Sequence, residues 1–264
     1  MAGIYDTHTH LNDEVYLQMD TTAGDLIKSA QQAGVSMLNV VGYDVKSSKI
    51  ALRYASVYPN VYAIIGIHPN EAQYFTSQAL DAITEMTSGN NVVAIGEIGL
   101  DYSRTNKFKE EQKAIFIAQI KIALDRDLPV VLHVKDVKDQ IQAYQDSLEI
   151  LDQYKVKNAV IHSWEGNEQF AEEFLNRGYY LSFSGMITYP ENEVLATIVQ
   201  KMSLNQLLIE TDAPYNSPIP FEGKVNYPRL APIIVKKIAK LKKLDSDDII
   251  SATRKNGERI FRIK

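Results

Sequence analysis

The sequence contains no cysteine. That excludes disulfides, thiolate nucleophiles and every cysteine-ligated zinc site. A basic excess is also missing: Lys and Arg number 28 against 33 Asp and Glu, a formal charge of −5. Proteins that coat nucleic acid non-specifically usually carry the opposite balance, so any such contact here must be local or carried by bound cations. No apolar run approaches the ~20 residues that cross a bilayer, and no membrane partner is expected. Met1-Ala2-Gly3-Ile4-Tyr5-Asp6 has no basic region followed by an apolar one, so no signal peptide is expected and a cytoplasmic home fits. Low-complexity tracts and Pro/Gly/Ser linkers are absent too, which favours one continuous domain over residues 1–264.

What remains is an ordinary globular composition, with 264 residues, 45% hydrophobic and 23% charged. Short β-rich runs alternate with helical patterns from end to end. They are Ile4–Leu11, Met37–Tyr43, Val61–His68, Val92–Ile98, Val130–Val134, Ala159–His162, Tyr179–Phe183 and Leu207–Thr211. Several are apolar nearly throughout, as strands buried on both faces of a parallel sheet must be. Between them, Asp25–Ala33, Lys107–Leu124 and Ala171–Arg177 read as amphipathic helices, with Gly34 and Gly178 placed to end the first and last. Eight units in 264 residues give 264/8 = 33 residues each, enough for a βα unit. The expected fold is α/β, a single (β/α)8 TIM barrel, whose usual length is ~250 residues. An open doubly wound sheet would normally show a Gly-rich turn after its first strand; here that strand ends in His8-Thr9-His10.

All five histidines, His8, His10, His68, His133 and His162, fall in or at the ends of these strands. In a (β/α)8 barrel the carboxyl ends of the strands converge on one mouth, where catalytic residues lie. His8 and His10 are two apart on one strand and face the same way, as two ligands of one metal would. Glu97, in Gly96-Glu97-Ile98-Gly99, brings a carboxylate whose two oxygens can bridge two cations. His133 and His162 each end an apolar strand. Asp212 ends the eighth, and is expected to bind metal and to serve as a general base. Glu210, two residues earlier, and Asp6, in phase with His8 and His10, are expected to orient ligand imidazoles from behind. Four imidazoles and two carboxylates exceed what one tetrahedral ion uses. They suit two divalent ions, Zn, Mg or Mn, which lower the pKa of bound water and neutralise a phosphate.

These residues resemble the TatD family of metal-dependent deoxyribonucleases, amidohydrolase-like TIM barrels. The matching motifs are Asp6-Thr7-His8-Thr9-His10, Gly66-Ile67-His68-Pro69, Gly96-Glu97-Ile98-Gly99-Leu100-Asp101-Tyr102, Leu132-His133, Ile161-His162 and Glu210-Thr211-Asp212-Ala213-Pro214. The resemblance implies hydrolysis of phosphodiester bonds by a two-metal-activated water, commonly as a 3′–5′ exonuclease on single-stranded DNA ends. It implies one metal held by His8, His10, Glu97 and Asp212, and a second by Glu97, His133 and His162. It further implies that His68 contacts the scissile phosphate or its leaving oxygen. The sequence departs from the family at Ser163-Trp164-Glu165-Gly166, where Cys-Phe-Ser-Gly is common, at Lys135 and Val225, where arginine is common, and at Asn70, where histidine is common.

The long proline-containing loop after Asp212 carries Lys224 and Arg229, expected as phosphate contacts, and Tyr102 and Trp164 are expected to stack on a base. A monomer is the expected state. The alternative reading is a barrel hydrolase acting on an amide or ester bond, such as aminoacyl-tRNA deacylation. One fold hosts many chemistries, and the barrel alone does not choose. A wide pocket lined by Lys224 and Arg229 would favour the nuclease, and a closed apolar pocket the carbonyl substrate.

Overall fold

A computed structural model describes residues 3–105 and 107–263. Met1 and Ala2, part of the stretch read for a signal, lie outside the described residues. Among those described, eight strands form one sheet in chain order. They are β1 (Ile4–Thr9), β2 (Val35–Val41), β3 (Val61–Ile65), β4 (Val92–Asp101), β5 (Val130–Lys135), β6 (Ala159–Ile161), β7 (Tyr180–Phe183) and β8 (Leu207–Ile209). Every neighbouring pair from β1–β2 to β7–β8 is parallel. The last seam closes just beyond β8. Asp212 N–H donates to the His8 carbonyl at 2.9 Å, and His10 N–H donates to the Ala213 carbonyl at 2.7 Å. The result is a nearly closed parallel barrel with helices outside, as the alternating pattern predicted.

The helices are α1 (Glu14–Gln18), α2 (Ala23–Gln32), α3 (Val45–Val57), α4 (Ser77–Met86), α5 (Lys109–Asp125), α6 (Gln142–Gln153), α7 (Glu168–Asn176), α8 (Glu193–Lys201), α9 (Ala231–Lys242) and α10 (Ser246–Ile260). Their starts follow local chemistry. Thr22 and Asp25 form a capping box at α2, Asp44 and Ser47 another at α3, and Asn167 caps α7. Gly34 and Gly178 follow their helices with φ of +91° and +82°, the left-handed step that glycine takes without strain. None of the described helices is long and apolar enough to cross a membrane.

Two buried clusters hold the barrel. The larger lies between strands and helices. The smaller joins Met37, Ile64, Val131 and Leu208 with Tyr5, Tyr180 and Phe261. Two strand irregularities then decide where polar side chains point. From Asp6 to Thr9 β1 advances three residues while β2 advances two, Leu38 to Val40. From Ile95 to Ile98 β4 advances three while β5 advances two, Val130 to Leu132. An extra residue reverses which face the following side chains occupy. His8 and His10 therefore face inward while Asp6 does not, and Glu97 is turned into the mouth.

Candidate metal centre

The carboxyl ends of the strands gather His8, His10, His68, Glu97, His133, His162 and Asp212 into one group, buried except for the half-buried His68 and His133. Glu97 lies at its centre. Its Oε2 faces His8 Nε2 at 3.5 Å and His10 Nε2 at 3.6 Å. Its Oε1 faces His133 Nδ1 and His162 Nε2, each at 2.8 Å, and His68 Nε2 at 3.4 Å. Asp212 Oδ1 completes the first side, 3.5 Å from His10 Nε2 and 3.8 Å from His8 Nε2. Possible ligand atoms of His8, His10 and Glu97 lie within 4.8 Å of one another, and so do those of His68, Glu97 and His133.

The far nitrogen of the His10 ring shows which of its nitrogens carries a proton. His10 Nδ1 lies 3.0 Å from the Val41 carbonyl, which only accepts, so that nitrogen donates and Nε2 keeps its lone pair. His162 Nδ1 lies 3.2 Å from Glu210 Oε1, and His133 Nε2 lies 3.4 Å from Asp101 Oδ2. Ring nitrogens converge in pairs, His8 Nε2 with His10 Nε2 at 3.1 Å and His133 Nδ1 with His162 Nε2 at 3.2 Å. Such convergence suits cations, and the nitrogen and oxygen donor set fits zinc or a related divalent ion. His68 is wired the other way. Its Nδ1 accepts from Asn70 N–H at 3.0 Å, so its Nε2 carries a hydrogen and points into the site as a donor.

Electrostatics agree with this layout. Burial opposes the charge of Glu97, yet the imidazoles of His162 and His68 and hydrogen bonds from His133 and His162 hold its carboxyl well below the usual range. Asp212 is lowered in the same way, burial being overcome by His10, His162 and His8. Burial opposes protonation of His162, but Glu97 and Glu210 hold it well above its ordinary value. His8 and His68 move down, chiefly through burial.

Local sequence explains the placement. Gly99, with φ of +135°, pairs with His133, and a Cβ there would lie 2.2 Å from the His133 carbonyl oxygen. Only glycine lets β4 run past Glu97 and bring Asp101 to the far side of the His133 ring. Glu210 lies where expected, taking the Ser163 N–H at 2.7 Å as well as facing His162. Asp6 does not. The extra residue in β1 turns it away from the imidazoles, and it accepts from Thr211 N–H at 2.9 Å and from Thr211 Oγ1 at 2.5 Å. Burial pushes this carboxyl up to about 8 against those hydrogen bonds. It therefore fixes the β1–β8 seam and orients no ring.

The expected substrate contacts are not brought to the site. Trp164 is 1% exposed, with Tyr144 and Phe174 at 5.6 Å, so no indole face is free for a base. Tyr102 is also buried; its hydroxyl donates to Asp146 at 2.7 Å and Lys109 covers its ring at 4.2 Å. Lys224 and Arg229 are exposed but line no part of the cavity. Arg229 sits over the Tyr227 ring instead, at 4.2 Å. The cations that do line it are Arg104 and Lys135, the latter paired with Glu165 at 2.9 Å.

Several site residues went unread in the sequence. Asp101 backs His133, and Asn216 donates to Asp212 Oδ2 at 2.7 Å. On the buried face of α5, Gln112 and Gln119 each make paired hydrogen bonds of 2.7 to 2.9 Å to backbone, at Asp101 and Ile67 respectively. The signal was present: both glutamines fall in phase with Ile115, Phe116 and Ile120, an unlikely place for a solvent-facing amide.

A family model described as TatD related DNase matches residues 5–262. The chain belongs to the TatD family. This TatD-family chain is 35% identical, over 98% of its length and 99% of the relative's, to a protein of Bacillus subtilis (strain 168) named uncharacterized metal-dependent hydrolase YabD. It is 32% identical, over 90% of its length and 91% of the relative's, to a Citrobacter rodentium protein named 3′-5′ ssDNA/RNA exonuclease TatD. The solved structure of YJJV, a TatD homolog from Escherichia coli K12, superposes with a TM-score of 0.90 at 28% identity, covering 99% of this chain and 98% of that one. The chain is thus a metal-dependent hydrolase of the TatD type, and its His/Glu cluster is the candidate metal centre.

Proposed function

We propose that this hydrolase removes nucleotides from the 3′ ends of single-stranded DNA, using two divalent cations that Glu97 would help to hold. The observation that carries the reading is the division of Glu97, one oxygen toward His8 and His10 and the other toward His133 and His162. His8, His10, Glu97 and Asp212 would hold one cation, and Glu97, His133 and His162 the other. When bound, the cations lower the pKa of water and offset the charge of the phosphate. Asp212 Oδ1 is aimed at the centre because Asn216 secures Oδ2, and it would take the proton of the attacking water. His68 Nε2–H would donate to a phosphate oxygen or to the leaving oxygen, in line with the tautomer that Asn70 imposes. Glu210 and Asp101 would keep the His162 and His133 rings turned toward the cations.

A cavity of about 380 Å³ opens above this group, and Asn70, Ser103, Arg104, Lys135 and Glu165 are among the residues that line it. That lining suits a phosphodiester better than the apolar surroundings expected of a carbonyl substrate. Hydrolysis of 3′-labelled single-stranded DNA by metal-free protein, resupplied with Mg, Mn or Zn, tests the reading. Release of the label as a mononucleotide, abolished by a chelator, is expected. Full activity in the chelator, or no cleavage with any of the three ions, overturns it.

A further inference from the structure

Burial of Trp164 and Tyr102 leaves the cavity with two other aromatic side chains. Among the described residues, Tyr43 and Tyr215 are the only Phe, Tyr or Trp that line it. Both stand tilted against His10, with ring centroids 5.9 and 5.8 Å from it. Neither ring is sunk in the core: Tyr43 is half-buried and Tyr215 is 51% exposed. The Tyr43 backbone and the Tyr215 side chain are held by their surroundings. Tyr43 N–H donates to Ser47 Oγ at 2.9 Å within the α3 cap, and its carbonyl accepts from His68 N–H at 2.8 Å. The Tyr215 hydroxyl donates to Asp13 at 2.6 Å, and Asn226 takes hold of its carbonyl at 2.6 Å. Asn70, Ser103, Arg104 and Lys135, which also line the cavity, offer hydrogen bonds and charge but no ring face.

We infer that Tyr43 and Tyr215 form a stacking subsite for the base of the terminal nucleotide, so that one wall takes the base while the metal centre takes its phosphate. The inference rests on the nuclease reading and deepens it. A cavity of about 380 Å³ is of a size for one small ligand, so only the end of a strand enters and its base meets the tyrosine wall. Stacking tolerates any base, because every base has a π face, and so the subsite recognises a nucleotide without reading sequence. The Tyr215 ring, anchored through its hydroxyl, also loses little freedom on binding.

Calorimetric titration of the protein in the presence of Mg2+ with thymidine 5′-monophosphate and with 2-deoxyribose 5-phosphate tests it. The two ligands share the sugar and phosphate and differ by the base. The wild type should bind the nucleotide about tenfold more tightly, in line with the worth of one stacked base. Replacing both rings, Tyr43→Leu with Tyr215→Leu, should bring the two affinities together by weakening only the nucleotide. The pair Tyr43→Phe and Tyr215→Phe should keep the preference. Equal affinities in the wild type, or a preference that survives the leucine pair, overturns the inference. The titration reads binding and not turnover, so a lost preference here and an absence of DNA hydrolysis are separate results.

Discussion

The two ends of the barrel solve opposite problems. At the amino end Tyr5, Tyr180, Ile260 and Phe261 fill the space with apolar surface, and the Tyr5 hydroxyl is satisfied by Asn39 at 2.6 Å. At the carboxyl end the same strands bury His8, His10, Glu97, His162 and Asp212. Burying charge is costly unless it is paired, and paired charges seldom stabilise more than well-packed apolar groups would. One end therefore stabilises the fold. The other is kept for chemistry, and its polar groups are arranged around a centre that favours cations. The extra residues between Asp6 and Thr9 in β1 and between Ile95 and Ile98 in β4 lie toward the chemical end, turning His8, His10 and Glu97 inward.

That division is broken most directly at Glu97. Glu97→Gln keeps the shape and removes the charge shared by both sides of the cluster. Activity should fall at least about 10³-fold, beyond the 10–100-fold usual for partners behind a ligand. The protein should remain folded by circular dichroism. The wild type should also melt at a higher temperature with divalent cation than without, since a ligand of the native state stabilises it, and the variant should lose most of that rise. A variant that turns over near the wild-type rate with added metal would remove Glu97 from the mechanism.

The reverse outcome is expected at the amino end. Phe261 is 3% exposed, with its ring 6.1 Å from that of Tyr5. Phe261→Ala should cost about 3–5 kcal/mol in chemical denaturation, the usual range for a buried phenyl ring. The kcat of the protein that remains folded should change little. A large loss of kcat without loss of stability would mean that the two ends are not independent.

Much of this contrast was legible in the chain. All eight strands lie where the apolar runs placed them, because doubly buried strands need β-rich segments with almost no polar residue. The five histidines fall at strand ends, so the barrel alone was enough to gather them. What could not be read was register. Period-two alternation carried through from Asp6 to His10 put Asp6 with the imidazoles, but one extra residue in β1 breaks the phase. The same limit applies at β4, which was expected to stop at Ile98 and runs to Asp101 because Gly99 accommodates the close approach of His133. Strand ends were also overextended at His68 and Thr211, where the backbone leaves the sheet to enter the site. Trp164 was misplaced for a related reason. Two residues past His162 the chain has already turned back beneath α6 and α7, so nearness in sequence to a ligand put no ring in the cavity.

The α5 glutamines sharpen the comparison, because they are polar residues in an apolar layer that serve the chemical end from outside. Gln119 takes the Ile67 N–H at 2.7 Å and returns a hydrogen bond to the Ile67 carbonyl at 2.9 Å, one residue before His68. Nothing else in that helix reaches the segment with both a donor and an acceptor, and the amide does for this loop what a neighbouring strand does for a strand. Gln119→Leu fits the layer in size but leaves both backbone groups unpaired, so the segment should shift to recover partners. A shift of His68 by a fraction of an ångström misdirects its Nε2–H while leaving His8, His10, Glu97 and His133 in place. The expected result is a fall in kcat of about 10–100-fold, the scale of lost outer partners at metal sites, with the bound metal content unchanged. Metal analysis beside steady-state kinetics separates the two quantities. If metal is lost in proportion to activity, His68 belongs among the ligands, and the tautomer set by Asn70 is not what governs it.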